Sequence, residues 1–220
     1  MTIVVIQCAA SKVPSAGYML TTDGRPVTFV ADPRTAPKRP GIVYARPDDV
    51  SDDGKVSWRT RVAAYAKNPG DNAVGLLPAY MLYQPETYLR LVRAFDLSNV
   101  YVLSAGWGII SADFLTPSYD ITFSRPPGAK DRYKWRRPED RYEDFCQLPR
   151  TSADRIVFLG GVKYLPAFER LTRNIEADKV IYYRAATIQR RQGFRYVPYD
   201  TDRLTNWHYS CADDLIAGRI

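Results

Sequence analysis

Four short apolar runs constrain this chain most. Thr2–Gln7, Asn99–Ser104, Arg155–Leu159 and Lys179–Tyr183 are five or six residues long, rich in Val, Ile, Leu and Tyr, and lack the polar alternation of a half-exposed strand. Strands of this kind are buried on both faces, which requires helices to cover them. The intervening stretches supply helical signals. Ser57-Trp58-Arg59-Thr60 reads as the capped start of a helix running to about Lys67. Pro78 to Phe95 places apolar side chains at helical spacing, with a break near Pro85. A further helix is predicted from about Tyr164 to Asn174, after Gly160-Gly161. Strand, loop, helix and strand in this order predict an α/β chain with a central, mostly parallel sheet flanked by helices.

An early insertion, about residues 17–60, reads as β-hairpin-rich. Thr22-Asp23-Gly24-Arg25 is a turn between Tyr18–Thr21 and Val27–Val30, and Asp52-Asp53-Gly54 is a second turn. Pro33 to Pro40 between them is a basic, proline-containing loop. No internal repeat is visible, and one domain over residues 1–220 is expected.

Composition narrows the functional classes. With 45% apolar and 25% charged residues the chain is an ordinary globular one, not a disordered or fibrous one. No apolar run is long enough for a bilayer, and the first residues lack a basic flank or cleavage site. A cytoplasmic protein without a membrane partner is expected. Cys8, Cys146 and Cys211 have no paired spacing, so neither a disulfide framework nor a zinc site is expected, and no cofactor is called for. Thirty-one Lys and Arg against 24 Asp and Glu give a net charge of +7, which points to a polyanionic partner, DNA above all. Sixteen Tyr and four Trp can stack on bases or fill a core.

In open α/β sheets ligands sit beyond the carboxyl ends of the strands, so the segments after each run are where chemistry is expected. The first is Gln7-Cys8-Ala9-Ala10-Ser11-Lys12, whose Ser11 and Lys12 offer a hydroxyl and a cation to a phosphate; it lacks the glycine spacing of a Walker loop. Cys8 as a nucleophile needs a base, and the only His is 200 residues on, so an inert buried thiol is expected. The second segment runs from Ser104 through Gly106-Trp107-Gly108 to Asp113, then Pro117 to Thr122. Its glycines permit a tight turn, Trp107 between them reads as facing a ligand, and Asp120 beside Tyr119 reads either as a carboxylate at a pocket mouth or as a turn cap. The third is Gly160-Gly161-Val162-Lys163-Tyr164, with backbone N–H groups for an anion or a base edge, or a purely structural turn.

Residues 125–150 carry eight basic and five acidic residues interleaved with Tyr133, Trp135, Tyr142 and Phe145. Charge for phosphates and rings for unstacked bases make Arg132, Lys134, Trp135, Arg136 and Arg137 candidate nucleic-acid contacts, or else a solvated surface. Arg184 to Arg195, with Arg190 and Arg191, extends the same reading. Near the end, Asn206 and His208 can hydrogen-bond a base edge, and His208 can stabilise a departing anion.

Taken in order, Cys8–Lys12, Leu103–Ile110, Pro117–Asp120 and Gly161–Tyr164 resemble the YaaA-related group of domains. The resemblance covers about half the chain and departs from the family form at Gly106-Trp107-Gly108. It implies DNA binding and a place among nucleobase-modification and phage-conflict proteins. A remoter architectural resemblance, to uracil-type DNA glycosylases, implies excision of a flipped, modified base from phage DNA, an antiviral activity.

The expectation is therefore a DNA glycosylase with Asp120 as its catalytic carboxylate. Trp107 and Tyr119 would wall in the base, and Gln7, Asn206 and His208 would read its edge. Ser11, Lys12 and Lys163 would hold phosphates, with Ser104, Gly161 and Tyr164 completing the pocket. Asp113, Asp48 and Asp49 are the alternative carboxylates. A non-catalytic DNA-binding stress protein and a nucleoside N-glycosidase or base transferase acting on free nucleotides are the competing readings.

Overall fold

A computed structural model describes residues 1–150, 154–184 and 188–220. The four apolar runs form the middle of a seven-stranded sheet. β1 (Thr2–Gln7) is its centre, every side chain from Ile3 to Ile6 being buried. The insertion supplies β2 (Met19–Leu20), β3 (Pro26–Val30) and β4 (Val43–Ala45). Then come α1 (Trp58–Lys67), β5 (Leu77–Pro78), α2 (Ala79–Leu82), α3 (Thr87–Phe95), β6 (Val100–Ser104), β7 (Gly108–Ser111), β8 (Leu115–Thr116) and β9 (Tyr119–Asp120). The last part holds β10 (Phe145–Cys146), β11 (Arg155–Leu159), α4 (Leu165–Thr172), β12 (Asp178–Tyr183), β13 (Arg195–Pro198) and α5 (Trp207–Ile216).

The central order is β10-β7-β6-β1-β11-β12-β13, parallel throughout except between β6 and β7. The expected α/β architecture is thus present. Parallel neighbours put the carboxyl ends of β1, β11 and β12 side by side, with Ile6 opposite Leu159 and Leu159 opposite Tyr182. α3 and α5 pack on each other and on β1 and β11.

Local signals explain the helices. Ser57 caps α1 by accepting from the Thr60 N–H at 3.2 Å. Pro85 separates α2 from α3, as its ring and missing N–H require. The segment after β6 is not all loop: Gly108 turns the chain back as β7, with φ +89°. A Cβ there would lie 2.4 Å from the Phe145 carbonyl oxygen, so β10 can approach only because the residue is glycine.

The insertion is only partly hairpin. β2 and β3 are antiparallel about a turn closed by Gly24 N–H to Thr21 C=O, but β3 and β4 are parallel. β9 pairs with β3, Val30 opposite Asp120, on the edge that β2 begins. Asp120 is therefore held by the small sheet rather than at the end of a central strand. No helix among the described residues is long and apolar enough to cross a membrane.

Candidate functional site

Two adjoining concavities flank the segment after β11, the smaller over the carboxyl ends of β1, β11 and β12 and the larger along the outer face of α4. The smaller, about 320 Å³, is lined by Gln7 from β1, Gly160 to Tyr164 after β11, Tyr182 to Arg184 of and after β12, and Asn206 and His208 at the start of α5. Six expected residues meet here: Gln7, Gly161, Lys163, Tyr164, Asn206 and His208.

Hydrogen bonding fixes the orientation of the Gln7 side chain. The Gly161 N–H donates to Gln7 Oε1 at 2.7 Å, so the amide nitrogen faces His208 Nε2 at 3.2 Å. An amide nitrogen only donates, so His208 Nε2 accepts and the ring proton sits on Nδ1. Burial pulls the His208 imidazole down to about 4, which keeps it neutral at pH 7. Two expectations change. The Gly161 N–H is already taken and is not offered to a ligand, and His208 is a neutral hydrogen-bonding group rather than a cation for a departing anion. Asn206 stands at φ +56°, exposed, with no side-chain cap bond, so its amide remains available to a ligand.

The larger concavity is a cleft of about 930 Å³. Phe123, Arg125 and Trp135 to Pro138 form one wall, Val162, Lys163 and the outer face of α4 another, and Arg191 to Phe194 a third. Among the described residues Arg125, Arg136, Arg137, Lys163, Arg170, Arg173 and Arg191 line it against a single carboxylate, Glu169, so its field is positive. Glu169 is itself committed, pairing with Arg191 at 2.8 Å and accepting from the Tyr196 hydroxyl at 2.6 Å. Among the described residues Arg125, Arg137, Lys163 and Arg173 have no carboxylate partner and remain open to an anion. The Trp135 ring is flanked by Arg125 and Arg137, 5.4 and 5.9 Å from its centroid. Val162 and Lys163 line both cleft and pocket and join them.

Of the predicted nucleic-acid contacts, Trp135, Arg136, Arg137 and Arg191 reach this cleft, whereas Arg132, Lys134 and Arg190 do not. Arg136 is not a surface arginine at all: it is buried and bonds Asp144 through both terminal nitrogens. Arg190 donates to the Tyr183 hydroxyl at 3.2 Å. Residues 185–187 of the Arg184 to Arg195 segment lie outside the described residues. Sequence reasoning missed Arg170, Arg173, Phe123 and Phe194 and included Arg125 only as part of the basic segment 125–150; Arg170 and Arg173 carried a usable signal, being three apart at the exposed end of a predicted helix.

The second strand-end segment is core. Trp107 is fully buried against Phe29, ring centroids 5.0 Å apart, and faces no ligand. Ser104 donates to the Tyr119 hydroxyl at 2.9 Å and accepts from the Gly106 and Trp107 N–H groups at 3.2 Å, so it is saturated. Tyr119 is buried and its hydroxyl meets that of Tyr83 at 2.8 Å. Cys8 Sγ lies 3.4 Å from the Tyr164 hydroxyl, with no histidine beside it. Burial pushes Tyr83, Tyr119 and Tyr164 well above the ordinary tyrosine range and keeps them protonated.

The carboxylates separate clearly. Asp48 pairs with the buried Arg59, whose other nitrogens donate to the Trp107 and Gly106 carbonyls at 3.0 Å. Asp49 accepts from the Arg46 N–H and Asp113 from the Ser111 hydroxyl, both closing local turns. Asp120 is 44% exposed and pairs with Lys134 at 3.0 Å, outside the lining of both concavities. Burial pulls Lys134 down, but hydrogen bonds to Asp120 and Asp131 outweigh it and leave its amine more basic than usual. Ser11 is exposed, and its carbonyl accepts from the Gln84 N–H at 3.3 Å. Lys12 lies with Nζ 4.1 Å over the Tyr119 ring.

The chain matches no protein-family model. Neither curated proteins nor solved structures show significant similarity to it.

Proposed function

We propose that the protein binds DNA along the basic-aromatic cleft, receives an extruded base in the adjoining pocket and hydrolyses its N-glycosidic bond. The observation that carries this reading is the shared wall at Val162 and Lys163. It lets one ligand place phosphates among Arg125, Arg137, Lys163 and Arg173 while a base enters the pocket beside it. The pocket suits an uncharged, hydrogen-bonding ring: Asn206 offers its amide, Gln7 and the neutral His208 each keep one N–H beyond the bond between them, and no carboxylate lines it among the described residues. The resemblance of Cys8–Lys12 and Gly161–Tyr164 to YaaA-related domains agrees with a DNA substrate.

Asp120 is the carboxylate proposed for chemistry. It neighbours Lys134, and the next residue, Trp135, lines the cleft. In base excision the C1′–N bond breaks, its electron pair leaves with the base, and water supplies the new C1′–O bond. A carboxylate offsets the positive charge that develops on the sugar. The test compares the protein with its Asp120→Asn variant on DNA carrying modified bases, scoring alkali-labile sites and gel retardation. Loss of base release with retained retardation is expected; full activity in the variant removes Asp120 from the reaction.

A second reading, DNA binding without catalysis, is favoured by the Asp120–Lys134 ion pair, which engages the proposed carboxylate outside the described lining of both concavities. It is the outcome if DNA is retarded but no base is released from any substrate.

A further inference from the structure

Gln7, the last residue of β1, is fixed by its hydrogen bonds. Its carbonyl accepts from the Tyr88 hydroxyl at 2.8 Å, its Oε1 accepts from the Gly161 N–H at 2.7 Å, and one Nε2 proton goes to His208 Nε2 at 3.2 Å. An amide side chain is ordinarily able to read either partner, because rotation about its last bond exchanges oxygen for nitrogen. Here that rotation is barred: it would set the amide nitrogen against the Gly161 N–H, donor to donor. His208 completes the lock, being buried on α5 with the Tyr209 ring 4.1 Å from its own. What Gln7 shows the pocket is therefore its second Nε2 proton, which has no partner among the described residues.

Gln7 and His208 line the pocket and not the cleft, whereas Val162 and Lys163 line both. A base entering from a strand in the cleft brings its sugar-bearing nitrogen in last and presents the opposite edge to Gln7. That edge carries the 4-substituent of a pyrimidine or the 6-substituent of a purine, a carbonyl oxygen in some bases and an amine in others.

We propose that Gln7 is the specificity-determining residue of this pocket and selects keto bases, those with a carbonyl oxygen at position 4 or 6, over their amino counterparts. This rests on the reading that the pocket takes a base, and not on Asp120 or on bond cleavage. A carbonyl oxygen accepts the free Nε2 proton. An amine meets it donor to donor, and the proton stays unpaired. Ser124, Thr205 and Asn206 also line the pocket, but each side chain can turn to donate or accept and so fits either kind of base.

Chemical-shift titration of the full isotope-labelled chain with free uridine, cytidine, inosine and adenosine tests this without DNA and without chemistry. The Gly161 amide, whose proton bonds Gln7, localises the binding. Each keto nucleoside should bind about tenfold more tightly than its amino partner. Gln7→Glu replaces the donor with an acceptor and should reverse both rankings. Gln7→Met keeps the length, has neither group, and should erase them. Equal affinities in the unsubstituted protein, or a ranking that Gln7→Met leaves unchanged, overturns the proposal and leaves the base pocket standing. No shift with any of these nucleosides, in protein that retards DNA, overturns the proposal and the base pocket together.

Discussion

Removing the Asp144 side chain should unbalance the most deeply buried ion pair among the described residues. Arg136 and Asp144 are 3% and 1% exposed and share two hydrogen bonds of 2.8 and 2.7 Å. The guanidinium also donates to the Ala105 carbonyl at 2.9 Å and lies 3.8 Å from the centre of the Tyr142 ring. It thus ties residues 122–136 to the turn after β6, and with them one wall of the cleft. Asp144→Ala leaves that charge buried with a single carbonyl, a loss of roughly 3–5 kcal/mol. In a chain of this size that lowers the melting temperature by roughly 6–20 °C. Replacing both partners, Arg136→Met with Asp144→Leu, removes the stranded charge. The pair should cost about 1–3 kcal/mol less than the two single changes added. Thermal unfolding followed by circular dichroism reads both quantities. A fall of less than about 3 °C for Asp144→Ala, or strict additivity of the two changes, refutes the argument.

Three further outcomes follow from the same geometry. Gly108→Ala should destabilise the fold by about 2 kcal/mol or more, read as a lower urea midpoint, because the new Cβ meets Phe145 backbone at a positive φ; an unchanged midpoint refutes the close approach. His208, held neutral with its pKa near 4 against an ordinary value of 6.5, contributes stability that is complete above pH 6.5 and disappears as pH falls toward 4. That amounts to about 3 kcal/mol by urea unfolding at a series of pH values; His208→Gln should flatten the dependence, and an equally steep curve in that variant assigns it elsewhere. Changing Arg125, Arg137, Lys163 and Arg173 together to Gln should lower the salt slope of DNA binding by about 3 to 4. An unaltered slope excludes the cleft as the DNA path, and unaltered turnover on nucleosides favours a free-nucleotide substrate.

Signals carried within a few residues were legible in the chain. The apolar runs gave β1 and β11 with their observed ends, Ser57 marked the start of α1, and the turn of β2 and β3 stood at Gly24. These are local preferences of backbone and burial, and they survive folding. Elements without such patterns were invisible: β13 is a half-exposed edge strand ending in proline, and α5 begins at an asparagine in a left-handed conformation.

The site divides along the same line. That Gln7, Gly161, Lys163 and Tyr164 would gather at strand ends followed from the parallel order, since consecutive crossovers bring those ends together. Which charges stay free did not. Arg136 and Arg137 are neighbours in the chain, yet one is locked to Asp144 and the other faces the cleft. Asp120 is at the small sheet because β3, ninety residues earlier, pairs with it. Trp107 is core because Phe29 and Arg59 come from the insertion and α1 to cover it. A side chain's intrinsic preference is a property of the sequence; its partner, and therefore whether its charge or ring remains available to a ligand, is set by contacts between segments far apart in the chain.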